Sequence, residues 1–291
     1  MPRAEVLAIF GPTGVGKTEV AIALAERLRT LGQEPVAVSA DAIQVYRGLE
    51  ILSGAATAGE RARLEHRLVG ILPVTATFSA GAYAERAHRE IDELLAEGRR
   101  PIVVGGTGLY LRAALADLDL RPPVQPETRA RWGAALEREG AAALHARLPP
   151  DTGVAPTDTQ RILRALELLD EGHPPPSGEQ LWTTETRHPT LLAALTMERA
   201  KLYERIDVRI DQMLAAGVAQ EAQRARNASR TARAALGFEE LLRGDVQAMR
   251  TRTRRYAKRQ LTWLRKLPDA HLVDTTDRTP EDVAAEIHAM I

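Results

Sequence analysis

At 291 residues, of which 44% are apolar, the chain is long enough to bury one sizeable core and to carry a second, smaller lobe. Lys plus Arg equals Asp plus Glu, 39 of each, so net charge points to no polyanionic partner, and the absence of cysteine excludes disulfides and thiolate metal sites. The seven histidines show no H-x-x-x-H spacing, no apolar run reaches membrane-spanning length, and no basic stretch runs into an apolar signal core, so we expect a soluble, cytoplasmic, monomeric protein.

The first predicted strand is the apolar run Val6 to Phe10, and an amphipathic helix is predicted over 19–31, with Ile22, Ala25 and Leu28 recurring at helical spacing. Between them lies Gly11-Pro12-Thr13-Gly14-Val15-Gly16-Lys17-Thr18, which fits the phosphate-loop pattern G-x-x-x-x-G-K-S/T at every constrained position. Such a turn aims backbone N–H groups into a nest at the positive end of a helix and so collects phosphate oxygens. Lys17 adds a compact positive charge, and the Thr18 hydroxyl suits a Mg2+ shared with the phosphates. The loop leaves open whether those phosphates belong to a nucleotide such as ATP or to another diphosphate.

Residues 35–41 read as a buried strand ending in Asp41, where ligands sit in parallel α/β sheets; Asp41 as the cap of the following turn is the alternative. Weak periodicity over 42–65 predicts a long loop, 66–72 a short strand, and 80–97 a helix burying Tyr83, Ala87, Ile91 and Leu94. A third strand, Pro101 to Val104, runs into Gly105-Gly106-Thr107-Gly108. That turn either admits a ligand close to the backbone, with Thr107 donating to a phosphate oxygen, or is simply tight.

Proline-rich stretches at 121–126 and 173–178 bracket purely helical sequence, so we expect a core domain of residues 1–120 with 188–291 and an inserted helical domain of residues 121–187. Within the insert one helix opens at Pro126 and carries Arg129 and Arg131. A second opens at a capping box, Thr157-x-x-Gln160, and packs Ile162, Leu166 and Leu169 inward, leaving Gln160, Arg161 and Arg164 either facing an anion or solvated. The sheet pattern resumes at Leu191 to Thr196, and a helix over 200–216 follows with Leu202, Ile206, Ile210, Met213 and Leu214 as its core face. A short helical linker holds Arg233 to Glu240. Residues 250–266 then carry eight basic residues and no acidic one, in a helix where Tyr256, Gln260 and Trp263 share a face. Basic groups interleaved with aromatics suit nucleic acid, and equally a phosphate-sensing kinase helix. A short strand near His271 and a terminal helix from Pro280 end the chain. The fold class is therefore α/β, a P-loop NTPase-like parallel sheet flanked by helices with an inserted all-helical domain.

The phosphate loop, Asp41 and Thr107 all fall at strand ends. Beyond this kinase-like arrangement, the chain resembles the tRNA dimethylallyltransferases, or tRNA isopentenyltransferases, in finer detail. Ser39 to Gly48 (SADAIQVYRG) is similar to that family's S-A-D-S-x-Q-V-Y-x-G, and Pro101 to Tyr110 (PIVVGGTGLY) to its P-x-x-V-G-G-T-G-L-Y. Asp158 to Glu167 (DTQRILRALE) resembles its R-x-x-R-A-L-E helix, Ala235 to Phe238 its A-x-G-Y, and Tyr256 to Arg265 (YAKRQLTWLR) its Y-A-K-R-Q-x-T-W-x-R. The family's G-T-A-K-P is replaced by Leu52-Ser53-Gly54-Ala55-Ala56, so its lysine is absent, and Phe238 replaces a tyrosine.

The resemblance implies transfer of a dimethylallyl group from dimethylallyl diphosphate to the exocyclic N6 amine of the adenosine on the 3′ side of the tRNA anticodon. Gly11 to Thr18 and Mg2+ would hold the departing diphosphate, Asp41 would accept the amine proton, Thr107 would hold the bridging oxygen, and the base would be flipped between the two domains. It also implies tRNA anticodon stem-loop contacts from Asp41, Ala42, Ile43, Gln44, Thr107, Arg129, Gln160, Arg161, Ile162, Leu163, Arg164, Arg233, Gly237, Phe238, Lys258, Arg259, Gln260, Trp263 and Arg265. The rivals are a P-loop small-molecule kinase and a non-catalytic tRNA-binding module, the second of which leaves Asp41 and Thr107 without a role.

Overall fold

The computed structural model describes residues 4–175 and 179–291. From the amino end, β1 (Val6–Phe10) leads through the glycine loop into α1 (Lys17–Arg29) and then β2 (Pro35–Ser39). Both strands are buried along their whole length, as a parallel strand covered on two faces requires.

Residues 42–65 are not the loop expected: they hold β3 (Tyr46–Arg47), α2 (Glu50–Ser53) and α3 (Ala58–Arg63). Elements this short show no periodicity, and their support is polar. Thr57 and Glu60 form a capping box for α3, and the carboxylate of Glu221 accepts from the Ile51 and Leu52 amides at 2.9 and 2.8 Å. The single strand expected at 66–72 is two, β4 (His66–Arg67) and β5 (Leu72–Pro73), because Leu68 and Gly70 take φ of 61° and 65° and turn the chain between them. Next come α4 (Ala80–Ala96), which buries its expected face, β6 (Arg100–Gly105) and α5 (Gly108–Leu115).

The helical segment holds α6 (Pro126–His145), broken at Gly140 with φ 79°, and α7 (Thr159–Asp170). The cap of α7 is not Thr157 but Asp158, whose carboxylate accepts from the Arg161 amide at 3.1 Å; the aspartate accepts more strongly than a hydroxyl one residue earlier. Returning to the sheet, β7 (Thr190–Thr196) is followed by α8 (Arg199–Ala215), α9 (Val218–Arg224), α10 (Arg230–Arg233) and α11 (Phe238–Leu242). On α8 the buried residues are Leu202, Ile206 and Ile210, with Met213 and Leu214 only half-buried. The basic helix α12 (Val246–Leu264) starts before Thr251, at an Asp245 cap, and β8 (His271–Asp274) and α13 (Pro280–His288) close the chain.

The main sheet has six strands in the order β4-β2-β6-β1-β7-β8, every pairing parallel, and β3 with β5 forms a small second sheet. This is the parallel α/β architecture expected. The chain divides into two compact units, residues up to Asp117 with Trp182–Ile291, and Leu118–Leu181. The second unit is helical, and α6 and α7 pack around Ala135, Leu144, Leu148, Ile162 and Leu166. It stops short of residue 187 because Trp182 stacks on Trp263 of the sheet unit, ring centroids 4.6 Å apart. Pro176, Ser177 and Gly178, in the second proline-rich boundary, lie outside the described residues. Among the described residues no helix is long and apolar enough to cross a membrane.

Removing the α7 cap with Asp158→Ala is expected to cost about 1 kcal/mol. The check is amide hydrogen exchange along the first turn of α7, where faster exchange is expected and unchanged protection would contradict the cap.

Candidate active site

The segments leaving the carboxyl ends of the adjacent strands β2, β6 and β1 line one cleft of about 1480 Å³. In the loop after β1, Gly14 and Gly16 take φ of 84° and 100°, and left-handed residues at alternate positions make an anion nest. Lys17 opens α1 and folds back, its Nζ donating to the Gly11 and Pro12 carbonyls at 3.0 Å each. Burial, reinforced by the neighbouring Arg209 cation, lowers the Lys17 pKa to about 8, while Asp41 and Glu19 pull it the other way. Thr18 lines the same cleft. Among the described residues no cluster of His, Cys, Asp and Glu could hold a metal. A single hydroxyl beside an anion nest does fit a hard cation whose other ligands are phosphate oxygens and water.

Asp41 lines the cleft and also caps the turn that follows it, so the position that a ligand role needs and the cap are compatible. Its Oδ1 accepts from the Ile43 and Gln44 amides at 2.8 and 3.3 Å. Among the described residues Oδ2 takes no hydrogen bond, which leaves one carboxylate oxygen for a ligand. Thr107 caps α5 without a side-chain cap bond, and its hydroxyl lies 3.3 Å from that of Tyr256.

The glycines before Thr107 answer to close approach. A Cβ on Gly106 would stand 2.4 Å from Gln260 Nε2, 3.0 Å from the Gly11 carbonyl and 3.3 Å from Lys17 Nζ. The β6 turn is therefore pressed against the phosphate loop.

Arg209 and Tyr110, given no role from the sequence, line the cleft as well, and so does Tyr256, expected there only as part of a nucleic-acid face. Arg209 lies over Gly54, where an added Cβ would meet its guanidinium at 1.7 Å. Its positive charge thus reaches the stretch in which the expected lysine is absent, and burial lowers its pKa against the pull of Glu19 and Asp41. A signal was present: Leu202, Ile206, Arg209 and Met213 are spaced four, three and four apart, which puts an arginine inside an apolar helical stripe. Burial likewise raises the pKa of Tyr110 and of Tyr256.

Of the other residues expected to meet tRNA, Ala42, Ile43 and Gln44 line the cleft. Gln44 is already engaged, accepting from Ser39 Oγ at 2.8 Å and donating to the Gly54 carbonyl at 3.3 Å. Lys258 and Arg259 on α12 and Arg265 just past its end are exposed. Gln260 is not: it is 5% exposed and hydrogen-bonded inside the cleft wall. Phe238 is wholly buried, and Gly237 is a φ 93° turn against Met249, so both shape the chain beneath Arg233, whose guanidinium is held by Glu239. Trp263 rests on Gly108 and Trp182.

In the helical unit Gln160 and Arg161 are exposed, Ile162 is in the core and Leu163 packs on it. Arg164 is not free as expected; it donates to the Arg121 and Pro122 carbonyls at 3.0 and 2.6 Å. Arg129 lies 3.5 Å from the buried carboxylate of Glu167.

The model of the family described as IPP transferase matches residues 44–267 of this chain. The tRNA dimethylallyltransferase of Thermobifida fusca is 38% identical, over 91% of this chain and 88% of its own length. That of Streptomyces coelicolor is 38% identical over 96% and 93% respectively. The crystal structure of the tRNA isopentenylpyrophosphate transferase of Bacillus halodurans superposes with a TM-score of 0.71 at 32% identity, over 99% of this chain and 95% of that one. A eukaryotic dimethylallyltransferase acting on tRNA superposes with a TM-score of 0.74 at 26% identity, over 99% and 78%.

An anion bound in the nest favours the protonated form of Lys17. Binding therefore takes up a proton once the free amine has begun to titrate, and the affinity for inorganic diphosphate is expected to fall as pH rises through about 8. Calorimetric titration in buffers of differing ionisation enthalpy reads both effects, and Lys17→Ala should remove the proton uptake.

Proposed function

This chain belongs to the IPP transferase family, and we propose that it transfers a dimethylallyl group from dimethylallyl diphosphate to the N6 amine of the adenosine 3′ to the anticodon of tRNA, in the cytoplasm. The observation that carries the reading is the meeting of phosphate loop, Asp41 and Thr107 in a single cleft of about 1480 Å³. Pockets for small molecules usually enclose about 300–1,000 Å³, so this one has room for a prenyl diphosphate and a flipped base together. The relatives named above act on tRNA, and the kinase alternative is set aside.

In this reading the loop amides, Lys17 and Arg209 hold the diphosphate, and Phe78 and Tyr110 give the five-carbon chain an apolar wall. The bond between the allylic carbon and the bridging oxygen breaks, and the electron pair leaves with the diphosphate. The N6 lone pair forms the new bond to the same carbon, and the surplus N6 proton passes to the unengaged oxygen of Asp41. Negative charge grows on the leaving oxygens, where fixed amides and cations stabilise it without reorganising. The Thr107 hydroxyl, oriented by Tyr256, would hydrogen-bond the bridging oxygen. Mg2+, held by Thr18 and the phosphates, would neutralise part of the same charge. Lys258 and Arg259 on α12 and Arg265 at its end would bind the tRNA backbone, as would Gln160 and Arg161 of the helical unit.

The test is incubation with labelled dimethylallyl diphosphate and undermodified tRNA, and separately with labelled ATP; label moving from ATP to a small acceptor, with none from the prenyl donor into tRNA, would sink the proposal. Asp41→Asn keeps the acceptor that holds the turn and removes the base, so single-turnover transfer should slow by about 100-fold or more with tRNA affinity nearly unchanged. Arg259→Ala should weaken tRNA binding and lower the slope of log affinity against log salt by about 1, read by filter binding over a salt series.

A further inference from the structure

The side chains that α12 turns towards the sheet are matched one for one with the turn after β6. The Gln260 carboxamide takes the Gly106 carbonyl at 2.7 Å, the Tyr256 hydroxyl meets that of Thr107 at 3.3 Å, and the Trp263 ring lies where a Cβ on Gly108 would come within 2.0 Å of it. The face that composition suggested for stacking on bases is thus occupied by protein.

Gln260 does more than hold this turn. Its Oε1 also accepts from the backbone amide of Thr13 in the phosphate loop, at 2.9 Å. The orientation of the amide is set by its partners, since an N–H requires an acceptor and a carbonyl a donor. One carboxamide therefore bridges the loop after β1 and the turn after β6 from a side chain 5% exposed. The bridge also takes the Thr13 amide out of the nest, leaving the amides further along the loop for a ligand.

Resting on the reading of the cleft given above, we propose that Gln260 is a positioning residue for the transfer reaction: it fixes the gap between the diphosphate nest and Thr107, and it does not contact tRNA. Glutamate at this position would keep the acceptor for Thr13 but set an oxygen against the Gly106 carbonyl, and leucine would keep the volume and lose both bonds.

The experiment compares wild type, Gln260→Leu and Gln260→Glu. It measures the KM for dimethylallyl diphosphate, the Kd for inorganic diphosphate by calorimetry, and the Kd for tRNA by filter binding. For Gln260→Leu the donor KM and the diphosphate Kd should both rise about tenfold, the usual cost of stranding buried polar groups, with tRNA Kd within about twofold of wild type. Gln260→Glu should raise both at least as much, because its carboxylate repels the Gly106 carbonyl and the diphosphate alike, an effect that filling the space would not produce. Loss of tRNA affinity with donor KM and diphosphate Kd unchanged would overturn the proposal and return Gln260 to the tRNA contacts. Should Gln260→Leu fail to fold, the near-isosteric Gln260→Glu carries the same comparison, and wild-type diphosphate affinity in it would equally overturn the proposal. A wild-type protein that transfers no dimethylallyl group, with the diphosphate Kd still raised in Gln260→Leu, would sink the transfer reading and leave the positioning role standing.

Discussion

A nest of backbone amides binds an anion only while the turn that forms it holds its shape, and here that shape is enforced by crowding at the ends of three neighbouring strands. A Cβ on Gly105 would fall 2.2 Å from the Ala40 carbonyl, and one on Gly106 would crowd Gln260, the Gly11 carbonyl and Lys17. The turns after β2, β6 and β1 are thus seated against one another. The strand order β2-β6-β1 brings together groups that lie far apart in the chain, and the parallel direction puts all three turns on the same edge.

The charges in the cleft follow from the same enclosure. Burial lowers the proton affinity of both Lys17 and Arg209, and the Arg209 cation lowers that of Lys17 further, a repulsion that a bound anion would relieve. Asp41 and Glu19 balance the pair in the meantime. Arg209 also lies over the 52–56 stretch that lacks a lysine: an arginine on α8 brings a positive charge in from another element, over a glycine small enough to admit it. A guanidinium presents planar, forked donors where an ammonium presents a point charge.

The helical unit shows a related economy. Arg164, apparently free on its helix face, is anchored by two carbonyls, and Arg129 beside it is drawn to the buried Glu167. Arginines held in this way have less side-chain entropy left to lose than the exposed Arg161.

Local patterns in the chain determined a good deal: the strand, loop and helix at 6–29, the parallel α/β class, the face of α4, and the candidacy of Lys17, Asp41 and Thr107. Each of these is written within a few residues, as an apolar run, a glycine spacing or a carboxylate at a strand end, and the comparison with the IPP transferases agrees with the fold and family so inferred. Short elements such as α2 and β5 escaped because two to four residues are too few to display a period, and the cap of α7 slipped by one because Thr157 and Asp158 are adjacent residues of types that both cap well. The role of Gln260, the reach of Arg209 over Gly54 and the burial of Phe238 and Ile162 were decided only by tertiary structure. Each depends on which element lies opposite, and a helix face reads the same in sequence whether it meets solvent, a nucleic acid or another strand's turn.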